Sequence, residues 1–239
     1  MEKINSDIVT DDLGDIRLYN GDCMEWMKRV PDKYYELAIV DPPYGINRGG
    51  QKLSICKNNK HNRKYFEQKD WDSKTPSEEY FKELFRVTKK QIIWGANYFP
   101  CYVEASKGWI VWDKGQKGLT MSDGELAYSS YDIPLRIFTL NRVELLKQRT
   151  IHPTEKPIKL YEWLLINYAK KGDKIFDSHF GSLSIGIACH KLGYRLDACE
   201  LDSEYYQKAL DRLKDFRRQK SLFEVPSVKQ DNYKQSNLF

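Results

Sequence analysis

The stretch DKIFDSHFGSLSIGIACHKLGYRLDACELD, Asp173–Asp202, holds three elements back to back. DKIFD is a short apolar run closed by an acid and reads as a buried strand. IGIACHKLG, ended by Gly193, reads as a helix. YRLDACELD is a second strand, ending in acids. A strand, a crossover helix and a second strand make a right-handed unit whose strands lie parallel. Repeated, such units build an open sheet with helices on both faces.

The pattern continues in both directions. Upstream, KPIKLYEWLLINYAKKG reads as a helix beginning near Pro157 and closing at Gly172. Downstream, SEYYQKALDRLKDFRRQK is a helix entered through Asp202 or Ser203 as cap. Near the start, DIRLYNGD reads as a strand, and CMEWMKRV as a helix with Met24, Met27 and Val30 on one face and Pro31 as its stop. ELAIV is a short buried strand, and SEEYFKELFRVTKK an amphipathic helix with Ser77 as N-cap. QIIWG, WIVW, ELAYSSYD and LRIFTL read as further strands. The expected fold is one α/β domain, residues 1–220, built on a doubly wound, mostly parallel, Rossmann-like sheet. Residues 221–239 read as a polar, flexible tail.

Bulk properties agree with that. The chain has 239 residues, 28.2 kDa, 41% hydrophobic and 13% aromatic, enough for a packed core despite 31% charged residues. No window approaches the roughly 18 apolar residues of a membrane span, and MEKINSDIVTDDLGD has no apolar run behind its lysine. No membrane association or export is expected; the chain reads as cytoplasmic. Its five cysteines are scattered, with no Cys-x-x-Cys pair, and read as reduced thiols. Cys56 and His61 lack two further ligands at useful spacing, so no metal is expected. The net charge of +5 is compatible with a polyanionic partner.

Ligands of such sheets sit beyond the carboxyl ends of the strands, near the point where strand order reverses. Two strand ends carry chemistry. The first, ELAIVDPPYG, Glu36–Gly45, runs into an acid, two prolines and a tyrosine. Each proline fixes its own φ and holds the residue before it extended, so Asp41 and Pro42 are both stiffened, with Pro43 completing the brace. The Asp41 carboxylate and the Pro42 carbonyl can then face one point as two fixed acceptors, which suits an –NH₂ group. The exocyclic amine of adenine is a poor nucleophile because its lone pair is spread into the ring. Accepting both hydrogens draws the nitrogen toward tetrahedral geometry and frees the lone pair to attack an electrophilic methyl group. Tyr44 is expected to stack on the purine.

The second strand end is DSHFGS, Asp177–Ser182, followed by Glu200 at the end of the next strand. A small-residue corner at Gly181 and Ser182 lets backbone approach a ligand, and an acid at the following strand end can hold ribose hydroxyls. It is not a P-loop: Gly186 is followed by Ile187 and Ala188 where a lysine and a hydroxyl residue would have to meet phosphate.

On these residues the chain resembles the amino-group DNA methyltransferases that use S-adenosylmethionine (SAM), DPPY matching that family's catalytic motif and DSHFGS with Glu200 its cofactor motif. The order, catalytic motif first and cofactor turn late, is similar to the circularly ordered beta class, with a small target-recognition insertion between the two. LYNGDCMEWMKRVPDKYYELAIVDPPYG resembles the family's opening block, which implies Asp22 near the cofactor adenine. HPTEKP, His152–Pro157, implies Thr154 and Lys156 near the methionine end, and Phe180 matches the aromatic residue beside the cofactor. Two departures stand out: Leu183 replaces the usual second glycine, and Ser178 the proline after the strand acid.

The resemblance implies double-stranded DNA as partner, a bacterial or phage source, and leaves open a cognate restriction endonuclease. NRGGQKLSICKNNKHNRKYFEQK, within an aperiodic stretch over 46–75, holds seven basic residues against one acid. Lys57, Lys60, Arg63 and Lys64 are its candidates for phosphates, with Tyr65 and Phe66 as stacking groups. Residues 114–140 are the expected recognition region, short enough for a small target. Asn97 reads as a turn cap, and His152 and His179 as structural, since the amine chemistry needs no strong base. Adenine N6 is favoured by Asp41, because the family's cytosine N4 members more often carry serine there. Cytosine N4 and a non-catalytic relative that only binds cofactor or DNA are the alternatives.

Overall fold

A computed structural model describes residues 10–50, 65–116, 122–141 and 151–223. In chain order its elements are β1 (Thr10–Asp12), β2 (Ile16–Asn20), α1 (Cys23–Met27), β3 (Tyr35–Val40), α2 (Glu78–Val87), β4 (Thr88–Trp94), β5 (Ile110–Asp113), β6 (Gly124–Ser129), β7 (Arg136–Thr139), α3 (Ile158–Tyr168), β8 (Lys174–Asp177), α4 (Ser184–Leu192), β9 (Arg195–Glu200) and α5 (Ser203–Phe223).

Hydrophobic runs of four to seven residues can only be buried on both faces, and the strands bear this out with a period of two. In β3, Leu37 and Ile39 face one core while Ala38 and Val40 face the other. Ile175 and Phe176 of β8 divide in the same way. One core is closed by α3, α4 and α5 through Leu160, Leu164, Ile185, Ala188, Leu210 and Leu213. The other is closed by α1 and α2 through Trp26, Met27, Phe81 and Leu84.

The strands form a single sheet among the described residues, in the order β1-β2-β9-β8-β3-β4-β6-β5-β7. The pairs β2–β9, β9–β8, β8–β3, β3–β4 and β5–β7 are parallel, while β1 and β6 run antiparallel to their neighbours. The expected doubly wound, mostly parallel architecture is the one present. From β8 the chain crosses to β9 on one side, and from β3 it crosses to β4 on the other. Strand order therefore reverses between β3 and β8, which pair through Leu37 with Ile175 and Ala38 with Phe176. Their carboxyl ends lie side by side.

Three expected boundaries shift. The helix read across Ser77–Lys90 stops at Val87, and Thr88 already pairs with Tyr35 in β4. Thr88 ends the helix itself, donating its hydroxyl to the Leu84 carbonyl at 2.6 Å. The helix expected to close at Gly172 ends at Tyr168. α5 runs on to Phe223, so the start of the expected tail is helical. At its other end, the Asp202 carboxylate accepts from the Glu204 and Tyr205 amides, both at 3.0 Å, and is the cap. No helix among the described residues is long and apolar enough to cross a membrane.

Candidate active site

Asp41 leaves the end of β3 and Asp177 the end of β8; a cleft of about 1870 Å³ opens there, lined by Asp41 and by Ser178 and His179 but not by Asp177 itself. Asp22, Asp41, Pro42, Pro43, Tyr44, Thr154, Lys156, Phe180, Gly181, Ser182 and Glu200 all line it, so residues far apart in sequence share one cavity. Lys57, Lys60, Arg63 and Lys64 lie outside the described residues.

The DPPY corner is held by a residue the sequence did not mark. Asp72 is 2% exposed, and its carboxylate accepts from the amides of Tyr44 (2.7 Å), Gly45 (3.0 Å) and Arg48 (2.7 Å). Its carbonyl accepts from Asn47 at 2.9 Å. A buried carboxylate gathering three amides fixes a loop firmly. Above it Tyr44 does not stand free as a stacking platform. Its ring stacks on Tyr98 at 5.0 Å and 12°, and its hydroxyl donates to Asp41 Oδ1 at 2.6 Å. The outward aromatic is Tyr98, nearly half exposed. Gly95, at φ +69°, makes room for the tyrosine, and a glycine directly after a strand is the signal by which sequence could have found this close approach.

Lys156 lies against Asp41. Its ammonium is buried against Asp41 Oδ2, reaches Glu125 Oε2 at 3.1 Å and donates to the Tyr44 hydroxyl at 3.2 Å. Glu125 Oε1 in turn meets Lys114 Nζ at 2.6 Å. Burial opposes charge on Asp41, Glu125 and Lys156. Even so, Asp41 and Glu125 hold Lys156 above its ordinary range, and Lys156 with Lys114 holds Glu125 down at about 2. Asp41 is shifted the other way, upward by burial, and Lys156 does not fully offset this. Lys114 and Glu125 belong to the expected recognition region, yet β6 and β7 continue the main sheet and bring Glu125 to Lys156 beside Asp41. Spread from position 41 to 156, the cluster has no local pattern by which sequence could reveal it.

The β8 corner is quieter. Asp177 is 1% exposed; Oδ1 accepts from the His179 amide at 3.1 Å, and buried Oδ2 has no partner. Burial, with the charges of Asp41 and Glu200 adding, pushes Asp177 up to about 8. Glu200 accepts from the Gly181 and Asp202 amides, both at 2.9 Å, and burial moves it up to about 7. Asp22 caps α1 through the Met24 amide at 2.9 Å, Thr154 Oγ1 lies 3.1 Å from His152 Nδ1, and Phe180 packs on Tyr206. Leu183 adopts left-handed φ, +56°, where a glycine was expected. Ser178, in place of the expected proline, links Tyr80 and His179 through bonds of 2.7 and 2.8 Å.

Burial lowers His152 to about 3 and His179 to about 4, so both are neutral at pH 7. His152 packs between Trp71 and Tyr205. Lys69, counted above among the basic loop residues, is taken up within the molecule: it meets Asp202 and Glu204 at 2.7 Å each, over the Tyr205 ring.

Comparison with known proteins agrees with this geometry. The family model described as DNA methylase (N6_N4_Mtase) matches residues 102–211, from the approach to β5 into the first half of α5. Over those residues the chain is similar to the amino-group DNA methylases. The Type II methyltransferase M.HpaI of Haemophilus parainfluenzae is 23% identical over 244 residues, spanning 83% of this chain and 74% of its own length. Among solved structures, the M1.HpyAVI–SAM complex superposes with a TM-score of 0.55 at 19% identity, over 82% of this chain and 99% of that one. PvuII DNA methyltransferase, described as cytosine-N4-specific, gives 0.54 at 13% identity over 85% and 92%. At these identities the structural likeness speaks for the fold that this chain shares with them.

Proposed function

We propose that this chain transfers a methyl group from SAM to the N6 amine of an adenine turned out of double-stranded DNA. The observation that carries the reading is the placing of two stiff acceptors, the Asp41 carboxylate and the Pro42 carbonyl, in one cleft with Phe180, Gly181 and Glu200 where strand order reverses.

The residues present fit SAM. It carries an ammonium and a ribose diol; Glu200 at the end of β9 lines the cleft, and Asp177 Oδ2, a buried oxygen without a partner, belongs to the residue just before Ser178 of the cleft wall. Phe180, Gly181 and Ser182 would shape the wall between them, with Asp22 and Thr154 at its rim. Bound there, SAM supplies the electrophilic methyl. The chain's own work is on the amine: Asp41 and Pro42 accept its hydrogens, Pro43 and Asp72 keep the loop from yielding, and the Tyr44–Tyr98 stack offers an aromatic face to the base. No strong base is needed, in keeping with the neutral His152 and His179.

The test is transfer of labelled methyl from SAM to unmethylated DNA, with the product nucleoside identified chromatographically, for wild type and Asp41→Ala. N6-methyladenine from wild type and none from the variant is expected. N4-methylcytosine would keep the site and change the base. No product from DNA of varied sequence would overturn the reading.

A further inference from the structure

To receive an amine, Asp41 has to offer an oxygen, yet Tyr44 occupies Oδ1 and Lys156 occupies Oδ2. Lys156 has a second acid in reach, Glu125, which Lys114 holds from its far side. Asp41, Lys156, Glu125 and Lys114 thus form a row of alternating sign with no net charge. They come from the end of β3, the turn before α3, β6 and the end of β5. We propose that Glu125 is a positioning residue that takes over the Lys156 ammonium when an amine-bearing base enters, leaving Asp41 free to accept its N–H. The inference rests on the methyltransferase reading above.

The physical reason is the cost of a lone buried charge. Removing one partner from a buried ion pair is strongly unfavourable because the other charge is left uncompensated. Were Asp41 the sole partner of Lys156, freeing one oxygen would strand an ammonium whose side chain is only 3% exposed. With Glu125 at 3.1 Å the move becomes a shift between two acceptors, with the Trp94 and Tyr44 rings 5.3 and 5.7 Å from the ammonium as it shifts. Lys114 keeps Glu125 ionised throughout. The other titratable groups facing Asp41 are Asp177 from β8 and Tyr161 from α3, both shifted upward by burial, and Tyr44 from its own loop.

The experiment compares wild type, Glu125→Gln, Lys156→Met and the double variant. Glu125→Gln is expected to lower kcat about tenfold or more while leaving KM for SAM unchanged. In the Lys156→Met background the same substitution is expected to cost nothing further, since there is no ammonium left to move. Additive losses, or a loss confined to KM for SAM, would overturn the proposal. A readout independent of turnover is the carboxyl-carbon NMR titration of Asp41 in the unliganded protein. Glu125→Gln gives the ammonium wholly to Asp41, and the Asp41 midpoint should fall. An unmoved midpoint overturns the coupling whatever the protein does to DNA. A midpoint that falls in a protein whose wild type methylates no DNA upholds the coupling and removes the reaction assigned to it.

Discussion

Gly95 and Leu183 both hold left-handed backbone, for opposite reasons. At Gly95 a Cβ would lie 2.0 Å from the Tyr44 ring, so the glycine is there to let the tyrosine in. Gly95→Ala is expected to push Tyr44 off Asp41 and reduce methyl transfer about 100-fold, with little change in SAM affinity. An unaltered rate would show that the contact between Tyr44 and Asp41 is idle. Leu183 is fully buried, and its Cγ lies 2.7 Å from where Gly186 would carry a Cβ. Its left-handed conformation costs about 1–2 kcal/mol, less than the about 2–5 kcal/mol at stake in truncating a buried leucine. Leu183→Gly should therefore lower stability by about 1–3 kcal/mol in urea unfolding, despite restoring the residue the family resemblance leads one to expect. A more stable variant would contradict this weighing. Both glycine positions were readable as punctuation in the sequence. What each glycine was for depended on Tyr44 and Leu183, which sequence alone could not set against them.

At the scale of elements, the central parallel strands are tied by a buried relay. Trp26 Nε1 donates to the Tyr35 hydroxyl at 2.9 Å, Tyr35 donates to Asp197 at 2.8 Å, and Arg17 closes on the same carboxylate. α1, β3, β9 and β2 meet there. Tyr35→Phe would leave an indole N–H and a carboxylate oxygen short of a partner, and about 1–3 kcal/mol of stability should be lost in urea unfolding. A change within error would mean that water replaces the hydroxyl. Long periodic segments such as α4 and β9 were legible because burial dictates their pattern. The junction at Val87–Thr88 was not, since lysines 89 and 90 suit a helix and only the pairing of Thr88 with Tyr35, a contact across the fold, makes them strand. Asp72 was hidden for the same reason, as an acid in an aperiodic loop whose amides arrive from residues 44 to 48.

For the whole molecule, the motifs at 41–44 and 177–182 were each legible in sequence, and the sheet order turns them into neighbours. Their crowding of acids has a consequence for pH. The folded values of Asp177, about 8, and Glu200, about 7, exceed the ordinary ones of 3.8 and 4.5. The folded protein thus keeps protons the unfolded chain gives up. The stability these two groups contribute is present in full below about pH 4 and drains away as pH rises toward 8. Asp177→Asn should flatten that decline, raising Tm relative to wild type at pH 8 and hardly at pH 4; a parallel pair of curves would contradict it. The central claim is that the two strand ends divide the labour, β8 holding the methyl donor and β3 the amine. Calorimetric titration of SAM into wild type, Asp177→Asn and Asp41→Asn tests it most directly. The account predicts binding to wild type, at least tenfold weaker binding to Asp177→Asn, and nearly full affinity in Asp41→Asn. Equal weakening in both variants, or no binding to wild type, would contradict it.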